Sequence, residues 1–263
     1  MKLTFLGTGT STGVPQLRCG CPTCRSTDPR DRRLRASALI ETPSGHRVLI
    51  DCGPDFHQQM LRHGKRSPDD HLDALLVTHQ HYDHVGGLDD LRPYCYNEHG
   101  PIDFPVFCQP DVAHDLRERL PYSFSDHPYP GAPRYDLHEI HPMQPFEVCG
   151  LQVLPVPVNH YLLEIVGYRI GKLGYITDAK KVPHTTVDAL RGIDTLIINA
   201  LRQKPHMSHM TLEEALGVIA EIGPRVAYIT HISHDMGLYT EVEPTLPPNV
   251  HLAVDDRTIN IPD

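Results

Sequence analysis

The 263-residue sequence has no apolar run approaching the roughly 20 residues that a membrane-crossing helix needs, so no spanning segment is expected. It also lacks a charged-then-apolar leader. Met1-Lys2-Leu3-Thr4-Phe5-Leu6-Gly7 reads as the start of a strand, and a cytoplasmic protein with no membrane partner is expected. Long basic runs are missing too. With 24 Lys and Arg against 33 Asp and Glu, a formal charge of −9, the chain offers no extended footprint for nucleic acid. An even, evenly spread set of cysteines is absent. There are seven, three of them crowded together, which suits a reducing compartment better than a disulfide framework; Cys52, Cys95, Cys108 and Cys149 stand alone and read as buried or free thiols.

Against that background stands His79-Gln80-His81-Tyr82-Asp83-His84, directly after the run Asp73-Ala74-Leu75-Leu76-Val77-Thr78. The run has the length and composition of a strand. The cluster therefore falls where a strand's carboxyl end opens into a loop, the usual place for chemistry in α/β proteins. Three imidazoles and a carboxylate are ligands suited to zinc, manganese or iron. Alternate spacing lets His79 and His81 serve one cation and Asp83 and His84 a second. A solvated His-rich loop is the bland alternative in a chain with 19 histidines.

In this motif the chain resembles the metallo-β-lactamase superfamily, and the resemblance requires three further ligands. Later apolar strands end in each of them: Val153 to His160, Leu173 to Asp178, and Val226 to His231. It implies a first metal at His79, His81, His160 and Asp178, and a second at Asp83, His84, His231 and Asp178. The fold it implies is a four-layer αβ/βα sandwich; residue patterning alone supports the α/β class. It further implies that Asp51, closing Arg47-Val48-Leu49-Ile50, orients a ligand histidine, where a turn aspartate is the competing reading.

Cys19-Gly20-Cys21-Pro22-Thr23-Cys24 places three thiols in a loop able to fold back on itself, which suggests a tetrahedral structural zinc in need of a fourth ligand. His234, close after His231, is the candidate. A redox pair or unliganded thiols is the alternative, although Cys19 and Cys21 lie too close for comfortable bridge geometry. C-x-C-x-x-C near the start combined with H-x-x-H near the end resembles the PhnP-type cyclic phosphodiesterases, whose structural ligands match Cys19, Cys21, Cys24 and His234.

The coarse pattern over residues 1–263 is a single α/β domain. Strands are expected at 2–6, 37–42, 46–51, 146–158, 165–170, 173–177, 195–199 and 226–230, and helices at 56–63, 86–95, 110–119, 185–191 and 211–222. Thr211 and Glu214 form a capping-box pattern. Residues 96–145, dense in Pro, His, Tyr and Asp, read as a loop-rich insertion serving as a lid or a partner surface.

What the resemblance implies is hydrolysis of a small phosphodiester, cyclic ribose or nucleotide phosphates included, by a hydroxide bridging two divalent cations, zinc, manganese or iron. Asp83 would also hold the hydroxide's proton, and His209 would protonate the leaving alkoxide, with His206 competing for that role. The turn Gly7-Thr8-Gly9-Thr10-Ser11-Thr12-Gly13 could present N–H groups to a phosphate. The alternatives are a PqqB-like step in cofactor biosynthesis, whose proteins share a similar cysteine cluster, and RNA 3′-end processing, which the acidic charge disfavours. A non-catalytic metal-binding module is disfavoured because every expected ligand is in place. The expected partner is a small phosphorylated substrate, and a homodimer is expected on family analogy alone.

Overall fold

The computed structural model describes residues 1–67 and 69–262; Pro68 and Asp263 of the expected domain lie outside them. Two seven-stranded sheets carry the structure. In the first the order is Thr258–Asn260, Lys2–Gly7, Ser37–Glu41, Arg47–Ile50, Ala74–Leu76, Phe104–Cys108 and Tyr135–Glu139. The second runs Val250–Leu252, Val226–Thr230, Thr195–Asn199, Leu173–Ile176, Leu163–Ile170, Leu151–His160 and Phe146–Val148. Each sheet is antiparallel on one side and parallel on the other, which brings the carboxyl ends of its parallel strands to one edge.

Strand periodicity sorts the side chains into three apolar layers. Leu3, Phe5, Ile40, Val48, Ile50 and Leu76 of the first sheet meet Val153, Val166, Tyr168, Tyr175 and Ile197 of the second. Their alternates Leu6, Leu39, Leu49 and Leu75 face outward onto Phe56 and Met60 of the helix Phe56–His63 and Val112 and Leu116 of the helix Pro110–Arg119. On the far side Leu196, Ile198 and Ile229 pack on Val187 and Leu190 of His184–Leu190 and Ala215, Ile219 and Ile222 of Leu212–Ile222. The result is the expected αβ/βα sandwich. Strands covered on both faces read as unbroken apolar runs rather than as alternation.

Local signals end the elements where the chain must turn. Thr211 and Glu214 make the reciprocal capping box, and Gly223 closes the same helix in the left-handed conformation at φ 70°. Pro155 and Pro157 lie inside a strand because their outer edge has no ladder. Phe146–Val148 pairs only with Leu151 to Val153, and the two proline carbonyls accept from Met143 N–H and the Thr186 hydroxyl instead.

Residues 96–145 differ from the expectation of loop with one helix. The helix Pro110–Arg119 is there, but Phe104–Cys108 and Tyr135–Glu139 are strands of the first sheet. Pro105 and the polar Tyr135-Asp136-Leu137-His138-Glu139 hid them, the latter being an edge strand with a wet face. Residues 86–95 also depart: an α-helical turn occupies Tyr82–Val85 and a 3₁₀ segment Leu88–Cys95, which contains Pro93. Among the described residues no helix is long and apolar enough to cross a membrane.

Candidate metal centre

The predicted donors meet at the carboxyl edge where the two sheets abut. Strand ends supply them. Ala74–Leu76 runs into His79, His81, Asp83 and His84; Leu151–His160 ends in His160; Leu173–Ile176 leads to Asp178; Val226–Thr230 leads to His231. Asp51, Asp178 and His231 adopt left-handed backbone, with φ of 59°, 58° and 53°. Each costs an L-residue about 1 kcal/mol, and Asp and His tolerate it better than most. Such strain persists because the sheet on one side and the packed loop on the other fix the turn.

The donor atoms form two sets. His79, His81 and His160 are one, and Asp83, His84, Asp178 and His231 the other, with the atoms of each set within 4.8 Å of one another. Asp178, a member of the second set, also groups with His160 of the first. Its carboxylate lies 3.1 Å from His84 Nε2 and 3.1 Å from His231 Nε2, and it groups with His160 and His209 as well. The arrangement suits cations. His84 Nε2 is buried with no hydrogen-bond partner, 3.2 Å from Asp83 Oδ2, and His79 Nε2 sits 3.0 Å from His81 Nδ1, a spacing that demands a proton or a metal between two lone pairs.

Outer contacts fix which nitrogen faces inward. Asp51, fully buried, lies 2.7 Å from His84 Nδ1 and accepts from the backbone N–H of Thr78 at 2.8 Å and its hydroxyl at 2.9 Å. His84 Nδ1 therefore carries the proton, leaving Nε2 as the free ligand. His160 Nδ1 donates to the Ser208 carbonyl at 2.9 Å with the same effect. Gly53 permits the close approach of the ligand turn: a Cβ there would come within 2.1 Å of the Asp83 carbonyl oxygen. Thr78, Ser208 and Asn199 were not singled out from the sequence. Asn199 ends Thr195–Asn199 and clamps Ala179, the residue after Asp178, through bonds of 2.8 and 2.9 Å, so the strand-then-polar pattern that exposed the ligands would have exposed it too.

Electrostatics in the bare cluster follow from burial and from like and unlike neighbours. Burial, followed by the charge on His84, holds His79 well below the usual imidazole range. Burial works against a charged His84, yet Asp83, Asp178 and Asp51 outweigh it and hold that imidazole well above its ordinary value. Asp178 stays far below the carboxylate range because His231 and His84 overcome its burial. Buried imidazoles and carboxylates that perturb one another this strongly form a donor set suited to divalent cations.

His209 is buried between the rings of His160 and His231, centroids 4.7 and 4.9 Å away, and its Nδ1 lies 3.7 Å from Asp178 Oδ1 with no hydrogen-bond partner. Burial, and then His231, push it down to about 3. His206 stands one ring further out, 5.2 Å from His209, and its Nδ1 is tied up with Ser208. The glycine-rich turn does not form an open cradle. The N–H groups of Gly9, Thr10 and Gly13 go to the carbonyls of Leu34, Ile232 and Thr10, and Ile232 N–H returns to Thr8, so the turn braces the residue after His231.

The second cluster lies just beyond. Cys19, Cys21, Cys24 and His234 bring four donors within 4.8 Å, with His234 Nδ1 3.6 Å from Cys19 Sγ and 3.4 Å from Cys21 Sγ. Against burial, the Cys24 backbone N–H and His234 draw the Cys21 thiol down to about 6, while burial pushes Cys24 up to about 11. The remaining cysteines are free, three of them buried.

Known proteins share this architecture. The sequence model described as the beta-lactamase superfamily domain matches residues 46–232. A crystal structure described as a new diphosphatase from the PhnP family is 37% identical, with a TM-score of 0.89 over 98% of this chain and 96% of that one. Zn(2+)-bound PqqB from Methylobacterium extorquens shares the fold at 21% identity, with a TM-score of 0.81 over 99% of this chain and 100% of its own. An octanoyltransferase of Porphyromonas gingivalis is 44% identical over 97% of this chain, which spans 50% of that protein's length. The chain thus covers about half, or less, of the first curated relatives it matches.

Proposed function

The chain belongs to the metallo-β-lactamase superfamily of metal-dependent hydrolases, and from that premise we propose that it cleaves a small phosphodiester. The observation that carries this reading is one carboxylate, Asp178, within reach of both donor sets. In it, His79, His81 and His160 would hold one cation and Asp83, His84 and His231 the other, with Asp178 serving both. Bound there, two divalent cations would supply Lewis acidity at phosphorus and acidify water to near neutrality. Zinc, manganese and iron all fit this donor set. Cys19, Cys21, Cys24 and His234 would hold a structural zinc.

The chain's own groups supply the proton traffic. Asp83, whose Oδ2 faces both His84 and His231, accepts the proton of the attacking water. His209, buried between His160 and His231 with Nδ1 3.7 Å from Asp178, is placed to deliver a proton to the leaving oxygen. The PhnP-family relative favours a second reading, a diphosphate as substrate. Both bonds present a phosphorus with one bridging oxygen to break. The PqqB likeness, at 21%, carries the fold alone.

The test is turnover of bis(p-nitrophenyl) phosphate and of p-nitrophenyl phosphate by protein whose metals have been counted. Three metals per chain, with the diester cleaved and the monoester left, is the expected result. A fully metallated protein inert toward the diester and toward a dinucleoside diphosphate would overturn the reading.

A further inference from the structure

Arg33 is only 5% exposed, and among the described residues no carboxylate forms an ion pair with its guanidinium. Arginine is seldom buried without one. Its Nη1 donates to two neutral acceptors, the Thr8 hydroxyl at 2.8 Å and the Ala253 carbonyl. Asp255, Asp31 and Glu243 act on it at longer range, but both oxygens of each are already engaged. Asp255 accepts from the Thr8 hydroxyl at 2.6 Å and the Leu34 N–H at 2.7 Å. Asp31 accepts from the Ser26 hydroxyl at 2.6 Å and the Tyr239 N–H at 2.7 Å. Glu243 meets His251 Nδ1 at 2.9 Å and accepts from the Leu252 N–H at 2.7 Å.

Arg33 lines a cavity of 450 Å³ together with Arg30, Arg32 and Arg62, against two carboxylates, Asp255 and Asp256. Two of the four guanidiniums are spoken for. Arg30 pairs with Asp28 at 2.6 Å and lies over the Tyr239 ring, and Arg62 reaches Asp256 at 3.2 Å. Arg32 is exposed and has no ion pair or hydrogen-bonded partner for its side chain among the described residues. Arg32 and Arg33 therefore bring two uncompensated positive charges to one concavity of a chain whose net charge is −9. No donor of either metal cluster lines it. The bond to Thr8 also fixes the Arg33 head before any ligand arrives, so little side-chain freedom would be lost on binding.

We propose that this cavity is an anion-binding site, separate from the metal centre, in which Arg33 and Arg32 receive a doubly charged tetrahedral oxyanion of the phosphate type. The buried guanidinium supplies the fixed, bidentate half of the grip, and the exposed one closes over the ligand from the rim. The anion gives Arg33 the counter-charge that its engaged neighbours withhold. The site's occupancy does not depend on what the metal centre cleaves.

The experiment follows the melting temperature of the metal-loaded protein as inorganic phosphate is added at constant ionic strength, in wild type, Arg32→Glu, Arg33→Met and Asp178→Ala. Wild type should show a saturable rise, as a ligand bound only by the folded state produces. Arg32→Glu, a surface change that spares the fold, should move its midpoint to at least about tenfold higher phosphate, the cost of losing a charge-assisted bond. Arg33→Met should abolish the saturable part; if that variant does not fold, Arg32→Glu decides alone. Asp178→Ala should keep the response, because the anion does not sit on the metals. A midpoint unchanged in Arg32→Glu, a rise without saturation in wild type, as general salt exclusion gives, or a response lost in Asp178→Ala would each overturn the proposal.

Discussion

Two donor clusters flank the tetrapeptide His231-Ile232-Ser233-His234, and they are built in opposite ways. The inner one gathers side chains from four strand ends spread between 79 and 231, nearly all buried. The outer one takes three ligands from a single short loop and one from afar, all partly exposed. In the inner cluster, sheets and outer hydrogen bonds position the donors before any cation arrives, as Asp51 does for His84. In the outer cluster the loop is held by short-range bonds of its own: the four-residue helix Pro22–Arg25, the N–H bonds of Cys19, Arg25 and Ser26 to Gln16, Cys21 and Thr23, and two backbone N–H bonds to sulfur. The difference teaches that the inner donors stand on a frame of strands and outer hydrogen bonds, whereas the outer donors stand on one short loop, the kind of site in which metal binding and local folding are coupled.

The largest effect should come from removing Asp178, which the proposed reading assigns to both cations. Asp178→Ala is expected to lower diester kcat/KM by far more than the roughly 100-fold that losing an outer hydrogen-bond partner costs, with at least one metal lost and the fold retained. Circular dichroism, metal counting and turnover check it together. Activity near wild type would show that the two sets do not share a carboxylate. The next effect is selective. His209→Ala should cost roughly 10²- to 10⁴-fold with an alkyl leaving group and little with p-nitrophenolate, which departs without a proton. An equal loss on both would make His209 a packing or ligand residue.

How much of this contrast could be read from the residues depends on where the information resides. Ligands at strand ends were legible because a strand buried on both faces is an apolar run, and the polar residue after it stands out, as Asp178 and His231 do, while His160 ends an alternating apolar strand. Leu212–Ile222 was legible because both its caps are local, Thr211 with Glu214 at one end and Gly223 at the other. Strands Phe104–Cys108 and Tyr135–Glu139 were not, since a proline interrupts one and edge polarity disguises the other. The bracing role of the Gly7 to Gly13 turn was equally hidden. A glycine-rich turn offers N–H groups to whatever lies opposite, and only the fold reveals that Leu34 and Ile232 lie there.

The smallest effect on turnover should follow Cys21→Ser, and it sharpens the comparison because the expected loss lies elsewhere. Serine oxygen is a poor zinc ligand at neutral pH, so the outer cluster should fall to three donors and release its metal. The freed loop carries Cys19 to Cys24 away from His234, but Ile232 remains tied on both sides to Thr8 and Thr10, which keeps His231 at the end of its strand. Turnover should therefore drop only a few fold, while zinc falls by one per chain and the melting temperature by ~5 °C, equivalent to about 2 kcal/mol for a domain of this size. Melting curves with metal counts at matched protein concentration decide it. If turnover instead collapses while the inner metals stay bound, the Thr8 to Ile232 bonds are too weak to hold His231 alone, and the outer cluster positions the catalytic site rather than only closing its own loop.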